Sequence, residues 1–266
     1  MISVVNVEVP PLPQMPSGGI PAGGFVPQNT AVSVPSGPLV TITGMVTLKG
    51  RLPKDNEAIN DPIQSDPICG PLHLKPVKIR IFSTSAKGGL ADVFVYIVKG
   101  VQGGPFAPAA VPVVVNQIGC EFQPAVFGAM IGQFIDFTNS DPSMHNVHSF
   151  PVMPGNQSFN NAQGPHTILR RRFDVPELPV RIKCDVHPWM VAYGMIVDHP
   201  YFAVTDSDGR FVIPNVPLGD YVLRPVHRKI GAGIKNLDEP VRITGKSPVE
   251  VNFSMRIREE FVDSSR

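Results

Sequence analysis

Cys184, His187 and Met190 follow one another at intervals of three residues in the stretch Val180–Val197, V-R-I-K-C-D-V-H-P-W-M-V-A-Y-G-M-I-V. A thiolate, an imidazole and a thioether are three soft or borderline metal ligands on one short loop. Apolar, alternating residues flank the loop on both sides, the mark of strands. Upstream, F-T-N-S-D-P-S-M-H-N-V-H-S-F places His145 after a strand and a turn. Two histidines, one cysteine and a weakly held axial methionine make the ligand set of a blue-copper electron-transfer site. Taken singly, each residue has a plainer use: a buried thiol, a surface or capping histidine, a core methionine. Their order and their strand–turn–strand setting point to copper.

Copper(I) favours soft ligands and few of them, whereas copper(II) tends to tetragonal arrangements. A trigonal His–Cys–His set with a distant Met, held by a stiff scaffold, changes little between the two states. Cys184 is then the thiolate that dominates electronic coupling, His145 and His187 the imidazoles, and Met190 the weak axial ligand. Asn146, beside His145, is expected to offer its backbone N–H or its side chain to the thiolate and so tune the potential. His148 is expected to share the face of His145 on the same strand, either behind the ligands or exposed. His199, in V-D-H-P-Y-F, is expected to be structural.

The elements that must position these residues are strands. Pro (30) and Gly (24) are abundant, and charged residues are only 17%, against ~25% in ordinary globular domains. Such punctuation favours many short strands, and no helical period runs long enough to matter. Residues 1–37 are Pro/Gly-rich and read as an extended arm, a place for docking or self-association. Strand-like runs follow at V-T-I-T-G-M-V-T-L-K-G, V-K-I-R-I-F and A-D-V-F-V-Y-I-V-K-G, with a polar loop between Pro53 and Pro67. From Val113 to the aspartate before Pro142, three strands are expected, with turns at Gly119, around Pro124 and at Gly132. Pro151–Pro165 reads as a loop and H-T-I-L-R-R-R-F-D-V as a strand. Beyond Val197 come a hairpin turning at D-S-D-G, a turn at P-L-G-D, and two last alternating strands. Residues 258–266 are a charged tail.

Formal net charge is +1, which implies no nucleic-acid partner. The three arginines Arg170–Arg172 read as a solvated loop or strand edge. No window approaches the roughly 20 apolar residues of a membrane helix, and the N-terminus does not read as a leader. Of the three cysteines, Cys184 bound to metal would leave Cys69 and Cys120 for a disulfide, which suits an oxidising compartment. Three separate reduced thiols are the alternative, because spacing alone does not bring two cysteines together.

C-D-V-H-P-W-M resembles the short ligand loop of amicyanin-type cupredoxins, and H-N-V-H resembles their upstream histidine segment. F-Q-P-A-V-F-G-A-M-I-G-Q-F-I-D-F-T-N-S-D is similar to the cupredoxin run leading to that histidine. The resemblance covers residues 113–198 and implies a Greek-key β-sandwich, with Pro188 and Trp189 in an electron-transfer patch. Cys120 and the long segment between His145 and Cys184 depart from a minimal cupredoxin. A-V-T-D-S-D-G-R-F-V-I-P-N-V-P-L-G-D-Y-V-L resembles a carboxypeptidase regulatory-like (transthyretin-like) sandwich, and I-T-G-M-V with V-F-V-Y-I resembles that module's opening. The expected fold is therefore all-β. A cupredoxin-like domain (101–198) is inserted in a split sandwich (38–100 with 199–257), or two domains follow each other after a hairpin.

The fusion resembles exported bacterial envelope proteins, which implies a periplasmic or extracellular location. The function expected first is a type 1 copper protein passing electrons to a redox protein such as a cytochrome. A structural or adhesive envelope protein with a stabilising metal, or none, is the second reading. A copper enzyme ranks last, because a filled His–Cys–His–Met set leaves no open coordination position. No nucleophile elbow, P-loop or zinc-protease motif supports hydrolysis.

Overall fold

Alternation of apolar and polar residues with period two, broken by glycine and proline, yields a chain of short strands. The structure is a computed structural model that describes residues 37–53, 56–229, 237–245 and 248–257. The arm up to residue 36 and the tail 258–266 lie outside the described residues. The first strand, β1 (Leu39–Lys49), buries Val40, Ile42 and Val46. Gly44 sits at its centre because a Cβ there would meet the carbonyl oxygen of Val251 at 1.7 Å.

The polar stretch expected as a loop carries two elements, β2 (Glu57–Ile59) and a one-turn helix α1 (Asp61–Ser65). Asn60 caps α1 by accepting from the N–H of Ile63 (3.5 Å), and Pro62 stands in its first turn. β3 (Lys78–Arg80) pairs with β2, and β4 (Val93–Lys99) follows.

Between residues 113 and 139 there are four strands rather than three: β5 (Val113–Ile118), β6 (Glu121–Gln123), β7 (Val126–Met130) and β8 (Ile135–Asn139). Three turns necessarily part four segments. Next come β9 (His145–Phe150), β10 (Asn160–Gln163), β11 (Ile168–Arg171), β12 (Glu177–Lys183) and β13 (Val191–Val197). β10 lies inside the expected Pro151–Pro165 loop; its polar residues suit the sheet edge it occupies beside β9. Arg170 and Arg171 lie on β11, an edge strand, where Arg170 grips Asp136 through two hydrogen bonds of 2.6 and 2.7 Å. The chain closes with β14 (Phe202–Val204), β15 (Arg210–Pro217), β16 (Gly219–His227), β17 (Glu239–Ile243), β18 (Val249–Glu250) and β19 (Phe253–Arg256).

The strands from β5 to β13 form two sheets, ordered β10-β9-β12-β13-β7 and β11-β8-β5-β6. Val147, Val180, Ile182, Ala192 and Ile196 from the first face Val115, Phe122, Ile135 and Phe137 from the second across one core. This is a β-sandwich. β7–β13 and β5–β8 are parallel pairs.

Apart from the β2–β3 pair, the remaining strands form a β15-β1-β18 sheet, with β19 also on β1, and a β14-β4-β16-β17 sheet around another core. There β1 and β4 pair with strands from beyond residue 201. That second core also takes in Val126, Met130, Met195 and Val197 from β7 and β13, so the two layers of packing are continuous at those strands. No described helix is long and apolar enough to cross a membrane.

Candidate metal centre

His145 opens β9, and the loop between β12 and β13 carries Cys184, His187 and Met190. β9 and β12 are hydrogen-bonded neighbours, with Lys183 opposite His148. The sheet therefore brings the loop over the start of β9. Two backbone bonds close the loop: Cys184 N–H to the Met190 carbonyl oxygen (3.1 Å) and Met190 N–H to that of His187 (2.9 Å).

The side chains of His145, Cys184 and His187 converge. Their donor atoms all lie within 4.8 Å of one another, and all three residues are buried. His145 Nδ1 and His187 Nδ1 are 2.8 Å apart, and Cys184 Sγ is 3.8 Å from His187 Nδ1. Backbone N–H groups of Asn146 and His187 each donate to Cys184 Sγ at 3.4 Å. Met190 is buried in the same core as Cys184.

The outer nitrogens of both rings face carboxylates. His145 Nε2 bonds to Asp141 at 2.9 Å. That carboxylate also accepts the N–H groups of Gly119 (2.6 Å) and Cys120 (2.8 Å), which form the left-handed two-residue turn between β5 and β6. His187 Nε2 lies 4.0 Å from Asp66. Sequence reasoning did not single out either aspartate. Asp141 stands four residues before His145, a spacing with no strand periodicity to flag it, and Asp66 comes from a distant segment.

These surroundings set the charges. Burial opposes the cationic form of His145, but the Asp141 carboxylate and the Cys184 thiolate outweigh it and push its pKa up to about 9. Burial raises the Cys184 thiol, but His145 and the backbone N–H groups aimed at the sulfur bring it below the ordinary value. Burial and the charge on His145 both lower His187. Burial would raise Asp141; its bonds to His145 and to two amides bring it below its usual range.

One expectation needs correction. His148 does not share the face of His145: an offset of three residues on a strand reverses the side. It is half-buried on the other face, where Nδ1 bonds to Asp185 at 2.8 Å. Asp185 also accepts from Asn146 Nδ2 (3.1 Å) and Asn160 Nδ2 (2.9 Å), pinning the residue after Cys184. Beside exposed Pro188 stands Trp189. It is half-buried, because its indole N–H finds an acceptor inward, the Cys120 carbonyl oxygen at 3.1 Å. The expected pairing of Cys69 with Cys120 is present, a disulfide of S–S 2.03 Å, and Cys184 stays free. His199, away from the centre, bonds through Nε2 to the Ile97 carbonyl oxygen (2.8 Å).

The donor set fits a copper ion. With Nε2 of His145 held by Asp141, Nδ1 is the nitrogen that would face an ion once its proton is displaced. The two Nδ1 atoms and the thiolate already face one buried point, which matches the imidazole and thiolate preferences of copper.

No protein-family model matches the chain, and no curated protein matches it. Among solved structures, a copper-containing nitrite reductase from Thermus scotoductus SA-01 aligns at 24% identity with a TM-score of 0.30, covering 37% of this chain and 25% of that one. A purple cupredoxin from Nitrosopumilus maritimus aligns at 18% identity with a TM-score of 0.28, covering 32% of this chain and 98% of that one. A variant of amicyanin in its Cu(I) form aligns at 15% identity with a TM-score of 0.30, covering 37% and 98%. The chain thus spans a quarter of the nitrite reductase it resembles.

Proposed function

We propose that His145, Cys184 and His187 hold one copper ion, with Met190 as a weak axial donor, and that the protein carries single electrons. The observation that carries this reading is the buried meeting of Nδ1, Nδ1 and Sγ within 4.8 Å. Bound there, copper would supply a one-electron Cu(I)/Cu(II) couple. The protein's own groups do the rest. Asp141 fixes the ring and tautomer of His145. The N–H groups of Asn146 and His187 stabilise charge on the sulfur. The closed loop from Cys184 to Met190 limits movement between oxidation states.

The disulfide favours an oxidising compartment, periplasmic or extracellular. A redox protein such as a cytochrome is the partner this chemistry calls for. The pairing of β1 and β4 with strands beyond residue 201 supports an insertion of residues 101–198 into a split sandwich of 38–100 with 199–257. The carboxypeptidase regulatory-like character of that sandwich rests on its sequence motif.

One observation favours the structural reading. His145 hydrogen-bonds to both His187 and Asp141, so these side chains can also satisfy one another. Copper loading separates the two. Protein loaded with Cu(II) should show an intense thiolate-to-copper absorption in the visible range, absent in Cys184→Ser. A colourless protein that binds zinc tightly would favour a structural site. Weak absorption with an exchangeable water would indicate an enzyme with an open position.

A further inference from the structure

Residues 60–74 lie outside the strands that carry the metal centre, yet they close over it. Ile63 of α1 is fully buried and enters the same core as Cys184 and Met190. Asp66 then turns the chain by accepting the N–H groups of Ile68 (2.9 Å) and Cys69 (2.8 Å). Cys69 is tied covalently to Cys120 in the turn between β5 and β6. His73 Nε2 meets the carbonyl oxygen of Gly119, in that same turn, at 2.8 Å.

The consequence is read at His187. Only 5% of that residue is exposed. Donor atoms of Asp66, Cys69 and His187 all lie within 4.8 Å of one another, so the segment sits directly against the imidazole. The residues flanking His187 on its own loop, Val186 and Pro188, are exposed. The burial of the ring is therefore not a property of the loop alone; a segment more than 100 positions earlier contributes it.

We propose that residues 60–74 are a stapled cap that decides what reaches the metal. The cap shuts the His187 edge of the centre against dissolved ligands and thiol reagents, so that electrons pass and molecules do not. The purpose rests on the copper reading, but the closure itself is steric and exists without an ion. Its fastenings include the buried Ile63 side chain, the Cys69–Cys120 bond, the His73 hydrogen bond and the Asp66 carboxylate 4.0 Å from His187 Nε2. Loss of the covalent bond leaves only the non-covalent contacts of Ile63, His73 and Asp66 to hold the segment, and transient opening becomes more frequent.

The test uses the full chain free of metal, in which Cys184 is the single thiol. The rate of its alkylation by iodoacetamide is followed by mass under conditions where the thermal melt shows a folded protein. Cys69→Ser with Cys120→Ser should raise the rate at least tenfold. Ile63→Ala, with the disulfide intact, should raise it several-fold. Wild-type rates in both would overturn the cap, and if the double variant does not fold, the Ile63→Ala rate decides alone.

A second arm uses copper-loaded protein and azide. The native visible spectrum should be insensitive to azide and that of the folded double variant sensitive; a native spectrum that shifts with azide overturns the proposal. Failure of the native protein to take up copper would sink the copper reading, while the alkylation rates would still decide the cap.

Discussion

At the scale of single residues, each of the two histidines has an aspartate at its outer nitrogen. Asp141 is almost wholly buried, accepts two backbone amides and holds His145 Nε2. If His145 binds copper as proposed, that carboxylate's negative charge would raise the basicity of the ring and leave Nδ1 to the ion. Asp141→Asn should keep the fold and weaken copper binding by about 10- to 100-fold, read by competition with a chromophoric chelator. Met190 offers a different handle. Met190→Leu should preserve the visible band and raise the reduction potential in voltammetry, since a weak electron-donating axial ligand stabilises Cu(II). An unchanged potential would remove Met190 from the ligand set.

At the scale of elements, β16 brings another titrating group into the molecule, in a sheet other than the one that carries His145. His227 ends that strand, is 1% exposed and stacks on Phe82 with ring centroids 5.2 Å apart. Burial first, and then the charges of Arg228 and Lys229, depress its pKa from 6.5 to about 3. The folded protein keeps this ring neutral while the unfolded chain protonates it below 6.5. Its stability contribution is thus complete above pH 6.5 and falls away as pH drops towards 3, by about 1.4 kcal/mol for each pH unit. Urea midpoints at pH 7 and pH 4.5 should differ markedly in the wild type and less in His227→Leu. β1 makes a steric rather than an ionic demand. Gly44→Ala would drive a methyl into the Val251 carbonyl and the Phe211 ring, 2.8 Å away. It should lower stability by about 1–3 kcal/mol or more in a melt.

At the scale of the whole molecule, the pairing of β4 with β14 and β16 matters most. Ile97 N–H reaches the Tyr201 carbonyl oxygen at 3.2 Å, so the two ends of the 101–198 stretch meet. An insertion predicts that replacing this stretch with a short Gly/Ser loop leaves an outer sandwich with a cooperative melt. That sandwich should be less stable than the parent, because Val126, Met130, Met195 and Val197 would be missing from its core. Collapse of all β signal would mean that the two layers fold only as one.

The donor types, their order and the strands around them are legible in the chain itself, because strand alternation and turn chemistry act over a few neighbouring residues. C-D-V-H-P-W-M names three donors on one turn without any knowledge of the rest of the molecule. Local pattern did less well with β10 and with α1, where polar strand and short helix look like loop. Other features depend on contacts between distant positions. His145 and His187 meet across 42 residues, Cys69 and Cys120 across 51, and Asp66 arrives from another sheet's neighbourhood. No periodicity encodes such meetings. They follow from which strands pair and which cores form, and so tertiary structure alone decided where the thiolate, the two rings and their carboxylates stand.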